Sequence, residues 1–218
     1  MPSYIYAYQG DNIYVNLFIG SEVRIPIDKN NSVRLKQLTS YPWHGAVSIQ
    51  VNPDKASTFS IKVRIPGWAQ GTENPYGLYQ SNLKAPVKLK VNQKDILLRI
   101  VDGYAEISRE WKKGDHIELE LPMQPRLITA NEAVKDLRGQ VALASGPVIY
   151  CFEDADNPEL PTLTLQPQTP LELSHDNDLL HRVNIIKCQS KIPAKAIPYY
   201  AVANRKESHS YKVWIPQE

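Results

Sequence analysis

Hydrophobic and polar residues take turns along most of this chain. In residues 58–69, TFSIKVRIPGWA, Phe59, Ile61, Val63 and Ile65 alternate with Ser60, Lys62 and Arg64. A period of two places the first set on one face of an extended strand and the second on the other. Pro66-Gly67 then closes the strand, because proline removes a ladder donor and glycine permits a sharp turn. Trp68 follows, placed to fold back over the strand end. The same reading predicts buried Val47, Ile49, Ile117 and Leu119 beside buried Phe59, Ile61, Val63 and Ile65, with Lys62, Arg64, Glu118 and Glu120 exposed.

The unit of strand, turn, strand recurs. Residues 11–19 place Ile13, Val15, Leu17 and Ile19 on one face. Strands follow over 22–27, 33–38 and 46–51, separated by the turn cluster DKNNS and the aromatic loop 41–45. Residues 70–85 form the longest irregular stretch, polar and glycine-containing. Beyond it, strands over 86–92 and 96–101 flank a hairpin turn at 92–95, and Asp102-Gly103 marks another turn. The strand 104–111, a hairpin turn at 112–115 and a returning strand 116–121 complete this half. The prolines of LPMQP, residues 121–125, break the rhythm and mark a domain boundary.

The second half predicts a strand over 126–130, a helical turn within 131–139, and a long apolar strand pair over 140–152 bent at Gly146-Pro147. Further strands are predicted over 162–174, 182–187, 199–204 and 210–215. The fold class is therefore all-β, two consecutive β-sandwich domains of jelly-roll-like character. They span 11–124 and 125–218, after a short segment 1–10.

Apolar residues make up 42% of the 218 positions, enough for a real core, and the net charge of +2 offers no basic field for nucleic acid. No apolar run approaches the roughly 18 residues of a membrane helix, so no membrane partner is expected. The start, MPSYIYAYQGD, has neither a basic n-region nor an apolar h-region, so no signal peptide is read there. Cytoplasmic and periplasmic locations stay equally open. The two cysteines, Cys151 and Cys188, lack a metal-ligand spacing and read as buried free thiols.

Catalytic chemistry is hard to find. Glu106, Glu118 and Glu120 fall on polar strand faces, and Asp28, Asp95 and Asp115 fall in turns. Asp154 and Asp156 form an acidic loop that reads as ordinary exposed structure rather than a cation site. His44, His116, His175, His181 and His209 make no zinc-ligand spacing. Neither a nucleophile elbow nor a phosphate loop nor a dinucleotide fingerprint is present. Of the four tryptophans, Trp43 and Trp68 lie in loops and are the candidates for stacking against a sugar. The competing role for such residues is to plug a sandwich end or a domain interface.

The order of several phrases carries a resemblance. YIYAYQGDNIYVNLFIGSEV, LTSYPWHGAVSIQV, FSIKVRIPGWA, DGYAEISREWKKGDHIELELPM, LRGQVALASGPVIYCFE and YYAVANRKESHSYKVWIP cover nearly the whole chain. In this order they resemble the C-terminal part of glycoside hydrolase family 127, the β-L-arabinofuranosidase-like proteins of plant-glycan breakdown. The resemblance implies an (α/α)6 catalytic barrel followed by two β-sandwiches. In that family a zinc-held cysteine nucleophile and a glutamate acid/base lie in the barrel. Neither Cys151 nor Cys188 matches those positions, so the resemblance implies no catalytic residue, no metal site and no cofactor in this chain. It implies a partner, the chain's own catalytic barrel, with residues 1–10 as the remnant of the connection to it. A homodimer contact and a carbohydrate ligand are further partners to consider.

Overall fold

The computed structural model describes residues 2–83 and 85–218, and the side chains of all of these except Pro2 and His181. Met1 of the N-terminal segment, Lys84 of the long irregular stretch and the His181 imidazole thus lie outside the described residues. The chain divides into two compact units, Met1–Gln70 with Pro86–Pro122, and Gly71–Ala85 with Met123–Glu218. Among the described residues the longest helical segments, Pro2–Ile5 and the 3-10 turn Gly67–Gln70, have four residues each.

The first unit is a two-sheet sandwich. One sheet has five strands in the spatial order Tyr6–Gln9, Asn12–Val15, Ser57–Arg64, Tyr104–Trp111 and Ile100–Val101. The other has six, in the order Ser21–Asp28, Asn31–Thr39, Ala46–Pro53, Asp115–Glu120, Lys88–Val91 and Lys94–Asp95. Neighbours are antiparallel except Asn12–Val15 and Ser57–Arg64, which run parallel with Ile13 opposite Ile61 and Val15 opposite Val63. The predicted inward face holds: Phe59, Ile61, Val63, Ile65, Val47, Ile49, Ile117 and Leu119 are all buried. Burying side chains of this size is worth about 1.5–3 kcal/mol each relative to leaving them in water, so the inner face outweighs any single turn preference. Trp111 is buried as well, its ring 6.0 Å from Phe59. Its indole N–H donates to the Phe59 carbonyl at 3.0 Å, which satisfies the one polar atom that burial would otherwise strand.

Four details of the sequence reading change here. Lys62 and Glu118 are half-buried rather than exposed, while Arg64 and Glu120 are exposed as expected. The Lys62 ammonium lies 5.4 Å from the centre of the Tyr14 ring and 3.4 Å from Glu106 Oε2, so its stem covers the sheet while its charge is paired. In residues 11–19 the alternation breaks after Val15. Phe18 is buried and Leu17 and Ile19 are exposed, because the strand ends at Val15 and the backbone no longer follows the pleat. The segment 112–115 is not a hairpin. Tyr104–Trp111 pairs with Ser57–Arg64, whereas Asp115–Glu120 pairs with Ala46–Pro53 and Lys88–Val91, so the turn carries the chain from one sheet to the other. The strand predicted over 96–101 is reduced to Ile100–Val101, and the hairpin return after Asn92-Gln93 is the short Lys94–Asp95.

The second unit is built on a nine-stranded curled sheet. Its path runs Leu171–Asp176, Val183–Cys188, Ala194–Pro198, Val148–Glu153, Gln140–Ser145, Arg126–Ala130 and Tyr79–Ser81. Tyr211–Lys212 lies against Val148–Glu153, and Ile215–Pro216 against Gln140–Ser145. Buried clusters form on both faces: Leu143, Tyr150, Phe152 and Ile186 in one, Cys151, Ile185 and Ile197 in another. A sheet covered on both faces needs apolar residues at consecutive positions, which is why QVALAS and VIYCFE do not alternate. These two strands form an antiparallel hairpin that turns at Gly146-Pro147, with Gly146 at φ +54°. Of the region 162–174 only Leu171–Asp176 is strand, since Pro167 and Pro170 interrupt pairing before it. Residues 199–204 are not a strand. The strand is Ala194–Pro198, and Tyr199–Ala201 is a 3-10 turn.

The stretch 70–85, read as irregular, also supplies structure. Its Tyr79–Ser81 pairs antiparallel with Arg126–Ala130, with Gln80 opposite Thr129. A buried ion pair secures the crossing: Arg126 Nε and Nη2 donate to Glu73 Oε1 and Oε2 at 2.7 and 2.8 Å. Arg126 Nη1 donates to the Gly146 carbonyl at 2.8 Å.

Candidate functional site

The first unit carries its most unusual surface around the N-terminal edge strand. Tyr6–Gln9 forms a hairpin with Asn12–Val15 through Gly10, which sits at φ +55°. Among the described residues Asn12–Val15 is the only strand that Tyr6–Gln9 pairs with, which leaves its outer edge unpaired. The Asn16 amide donates to the Ile5 carbonyl at 2.9 Å, so the residues before the strand are held too.

One polar side chain ties this strand to the sheet beneath. Gln37, buried in Asn31–Thr39, donates from Nε2 to the Tyr6 hydroxyl at 2.9 Å and to the Leu17 carbonyl at 3.2 Å. The Tyr6 hydroxyl also meets Ser21 Oγ at 3.0 Å, and Ser21 Oγ donates to the Ile19 carbonyl at 2.7 Å. Phe18, inserted between exposed Leu17 and Ile19, meets the Tyr41 ring edge-on at 5.6 Å. These contacts gather the N-terminal strand, the segment 17–19 and the loop 41–45 into one neighbourhood. Tyr4 is 71% exposed, Tyr8 58% and Leu38 50%, with Leu17, Ile19 and Trp43 less so.

The two sugar-stacking candidates come out differently. Trp43 lies in the exposed turn after Asn31–Thr39, its amide donating to the Ser40 carbonyl at 2.9 Å. Trp68 is buried at 9% exposure in Gly67–Gln70, so its ring packs into the protein and is not an open platform. Of the two candidates, Trp43 is the exposed one and Trp68 the buried one.

The remaining chemistry-bearing residues are tied up structurally. Asp154 accepts the amides of His209 and Ser210 and the Ser210 hydroxyl, each at 3.0 Å. The His209 amide leads in lowering its pKa to about 2. Glu153, its side chain wholly buried, binds the Arg205 guanidinium and accepts the Ala203 amide at 2.8 Å. Asp156 accepts Arg205 Nη2 at 2.6 Å and lies 2.5 Å from Lys195 Nζ. Burial works against its ionisation, and the bonds from Arg205 and Lys195 more than offset that, so its pKa is lowered. Among the described residues no group of three or more His, Cys, Asp or Glu side chains is arranged to hold a metal ion. Cys151 and Cys188 are free and buried, and burial pushes each thiol up to about 12, Glu153 adding to the effect at Cys151.

The first unit is thus a β-sandwich whose N-terminal edge strand is unpaired among the described residues. The comparisons supply the chain's family. The model described as Beta-L-arabinofuranosidase, GH127 middle domain, matches residues 12–123, and that of the glycoside hydrolase family 127 C-terminal domain matches residues 125–216. The chain belongs to glycoside hydrolase family 127. It is 31% identical over 131 residues to a non-reducing end β-L-arabinofuranosidase of Bifidobacterium longum, an overlap of 59% of this chain and 18% of that protein. A solved GH127 β-arabinofuranosidase superposes with TM-score 0.90 at 31% identity, over 100% of this chain and 36% of its own. A GH127 β-L-arabinofuranosidase of Geobacillus stearothermophilus T6 does so with TM-score 0.86 at 32% identity, over 99% of this chain and 35% of its own. The chain thus spans about a third of the length of these solved relatives, and it matches the family's middle and C-terminal domains.

Proposed function

We propose that this chain is the non-catalytic accessory region of a β-L-arabinofuranosidase-type enzyme, bracing an (α/α)6 catalytic barrel and offering an oligomer contact. The observation that carries this is the unpaired edge of Tyr6–Gln9 with exposed Tyr4 and Tyr8 in the same segment, and exposed Leu17 and Ile19 in a segment that Gln37 and Ser21 tie to Tyr6. An edge strand lined with exposed aromatic and aliphatic side chains favours association, because both its backbone groups and its apolar area gain from a partner. The catalytic zinc, the cysteine nucleophile and the acid/base belong, in this reading, to the barrel. The purified chain is then expected to release nothing from an aryl β-L-arabinofuranoside and to hold no stoichiometric zinc.

The test is association in trans. The 218-residue chain is mixed with a separately prepared family 127 barrel domain and followed by analytical ultracentrifugation. A complex, together with a higher melting temperature of the barrel, is the expected result. The double variant Tyr8→Asp, Ile19→Asp is expected to lose the complex while keeping its own melting temperature. A barrel that neither binds nor is stabilised, or a variant that binds as well as the parent, would rule the bracing role out. A second reading, a carbohydrate-binding module, draws on the exposed ring of Trp43.

A further inference from the structure

The second unit holds an open cleft of about 530 Å3 lined by Asp178, Leu180, Arg182, Val183, Tyr200 and Asn204. Its volume is within the roughly 300–1,000 Å3 of small-molecule sites. Its two walls are the 3-10 turns Leu179–His181 and Tyr199–Ala201 with the residues that follow each.

Both walls are held in uncommon backbone geometry. Leu180 lies at φ 48°, ψ 39° and Arg182 at φ 84°, ψ 104°. Ala203 lies at φ 60°. None is glycine, and such backbone persists only where the surroundings over-determine it. On one wall Asp176 Oδ1 accepts the amides of Asp178 and Leu179 at 3.1 and 3.0 Å, and the Arg182 amide donates to the Leu179 carbonyl at 2.9 Å. On the other, the buried Glu153 carboxylate accepts the Ala203 amide and binds Arg205. Burying a carboxylate and a guanidinium is a poor source of stability, since an apolar replacement often does as well. What the pair supplies here is a fixed path for the loop that follows Tyr200.

The groups so positioned have complementary chemistry. Tyr200 lines the cleft and is 58% exposed. Asn204 Nδ2 donates to the Ala201 carbonyl at 3.1 Å, which sets the plane of its carboxamide. Asp178 and Arg182 add a carboxylate and a guanidinium at the same cleft. An aromatic face matches the C–H face of a sugar ring, and planar carboxylate, amide and guanidinium groups match pairs of neighbouring hydroxyls. We propose that this cleft between Leu179–His181 and Tyr199–Ala201 is a saccharide-binding subsite, with Tyr200 as the stacking platform and Asp178, Arg182 and Asn204 as the hydroxyl partners. It stands independently of the bracing role, which rests on the other unit and is tested by a different measurement.

The test is a titration of the 15N-labelled 218-residue chain with arabinotetraose and, separately, xylotetraose, followed by amide NMR shifts. The expected result is saturable shifts at residues 179–183 and 200–204 with one or both, with a Kd on the order of 1 mM for so open a site. The two saccharides decide between a furanose and a pyranose ligand. Tyr200→Ala is expected to weaken binding at least about fivefold, and Tyr200→Phe to stay within about twofold, since the ring and not the hydroxyl does the stacking. Asn204→Ala, at an exposed position, is the second variant should Tyr200→Ala fail to fold; it is expected to weaken binding about threefold with an unchanged melting temperature. No saturable shift at these residues with either saccharide overturns the proposal. So does unchanged affinity in a folded Tyr200→Ala or Asn204→Ala variant, or a saturable response confined to residues around Trp43.

Discussion

At the scale of single residues, charge is used here to fasten loops. Arg126 and Glu73 are both almost fully buried and meet in a bidentate pair. Removing one member of a buried ion pair typically costs about 3–5 kcal/mol, more than the pair contributes as a pair. Glu73→Ala is therefore expected to lower the unfolding free energy by about that amount in urea titrations, and Glu73→Gln by less, because an amide still accepts one hydrogen bond. Asp154 works at the surface. Its folded pKa of about 2 lies below the ordinary 3.8, so ionised Asp154 favours the folded state. That contribution is complete above the unfolded value and is lost as the pH falls through the folded one. Asp154→Asn is expected to flatten the fall in stability between pH 4 and pH 2 in acid titrations followed by circular dichroism. An unchanged slope would mean that the His209 and Ser210 contacts do not act through this carboxylate. Neither role was legible beforehand: Arg126 and Glu73 are 53 residues apart, and Asp154 finds its donors 55 and 56 residues away.

At the scale of elements, local sequence chemistry decided the turns and longer-range pairing decided the strands. Asn92-Gln93 joins Lys88–Val91 to Lys94–Asp95 with both residues at positive φ, 50° and 66°. A two-residue hairpin turn of this hand favours Asn-Gly. Gln93 pays about 1 kcal/mol for the left-handed backbone that glycine adopts freely. Gln93→Gly is expected to raise the unfolding free energy by about 0.5–1 kcal/mol in chemical denaturation, and a loss would show that the Gln93 side chain makes up the difference. The turn at 112–115 shows the limit of such signals. Lys-Lys-Gly-Asp has hairpin chemistry, and Gly114 does adopt φ +92°, yet the two strands it joins lie in different sheets. A reversal of direction is all the local sequence encodes. Whether the returning strand pairs with its predecessor or crosses the sandwich depends on which free edge buries Ile117 and Leu119.

At the scale of the whole molecule, the proposed bracing role makes a prediction about behaviour in solution. With Tyr4, Tyr8, Leu17 and Ile19 exposed, the isolated chain is expected to self-associate with rising concentration, as each aromatic side chain withdrawn from water contributes about 1.5–3 kcal/mol. Light scattering on the chain and on a version lacking residues 1–8 checks this, the shortened chain remaining the smaller species. A 218-residue chain that stays monomeric at high concentration would turn attention from the N-terminal strand to Trp43 and the carbohydrate-binding reading. Part of this neighbourhood stood out in the sequence, the loop 41–45 for its two aromatics. The segment 17–19 did not, because simple alternation assigned Leu17 and Ile19 to the interior. The signal for the slip was Phe18, a large apolar residue at a position that alternation calls polar.

The sequence by itself determined which positions face inward wherever one sheet face is covered and the other wet. Phe59, Ile61 and Val63, and likewise Ile117 and Leu119, follow from the period of two, because a one-residue slip would expose the entire set. It also determined the family, through the order of phrases along the chain. The tertiary structure alone decided what lies beside what. It made Tyr79–Ser81 a strand of the second unit and set Asn12–Val15 parallel to Ser57–Arg64. It also covered both faces of Val148–Glu153, where alternation carries no information. The reason is common to all three: a strand's side-chain pattern is local, whereas its ladder hydrogen bonds are made to whichever edge the rest of the fold brings to it.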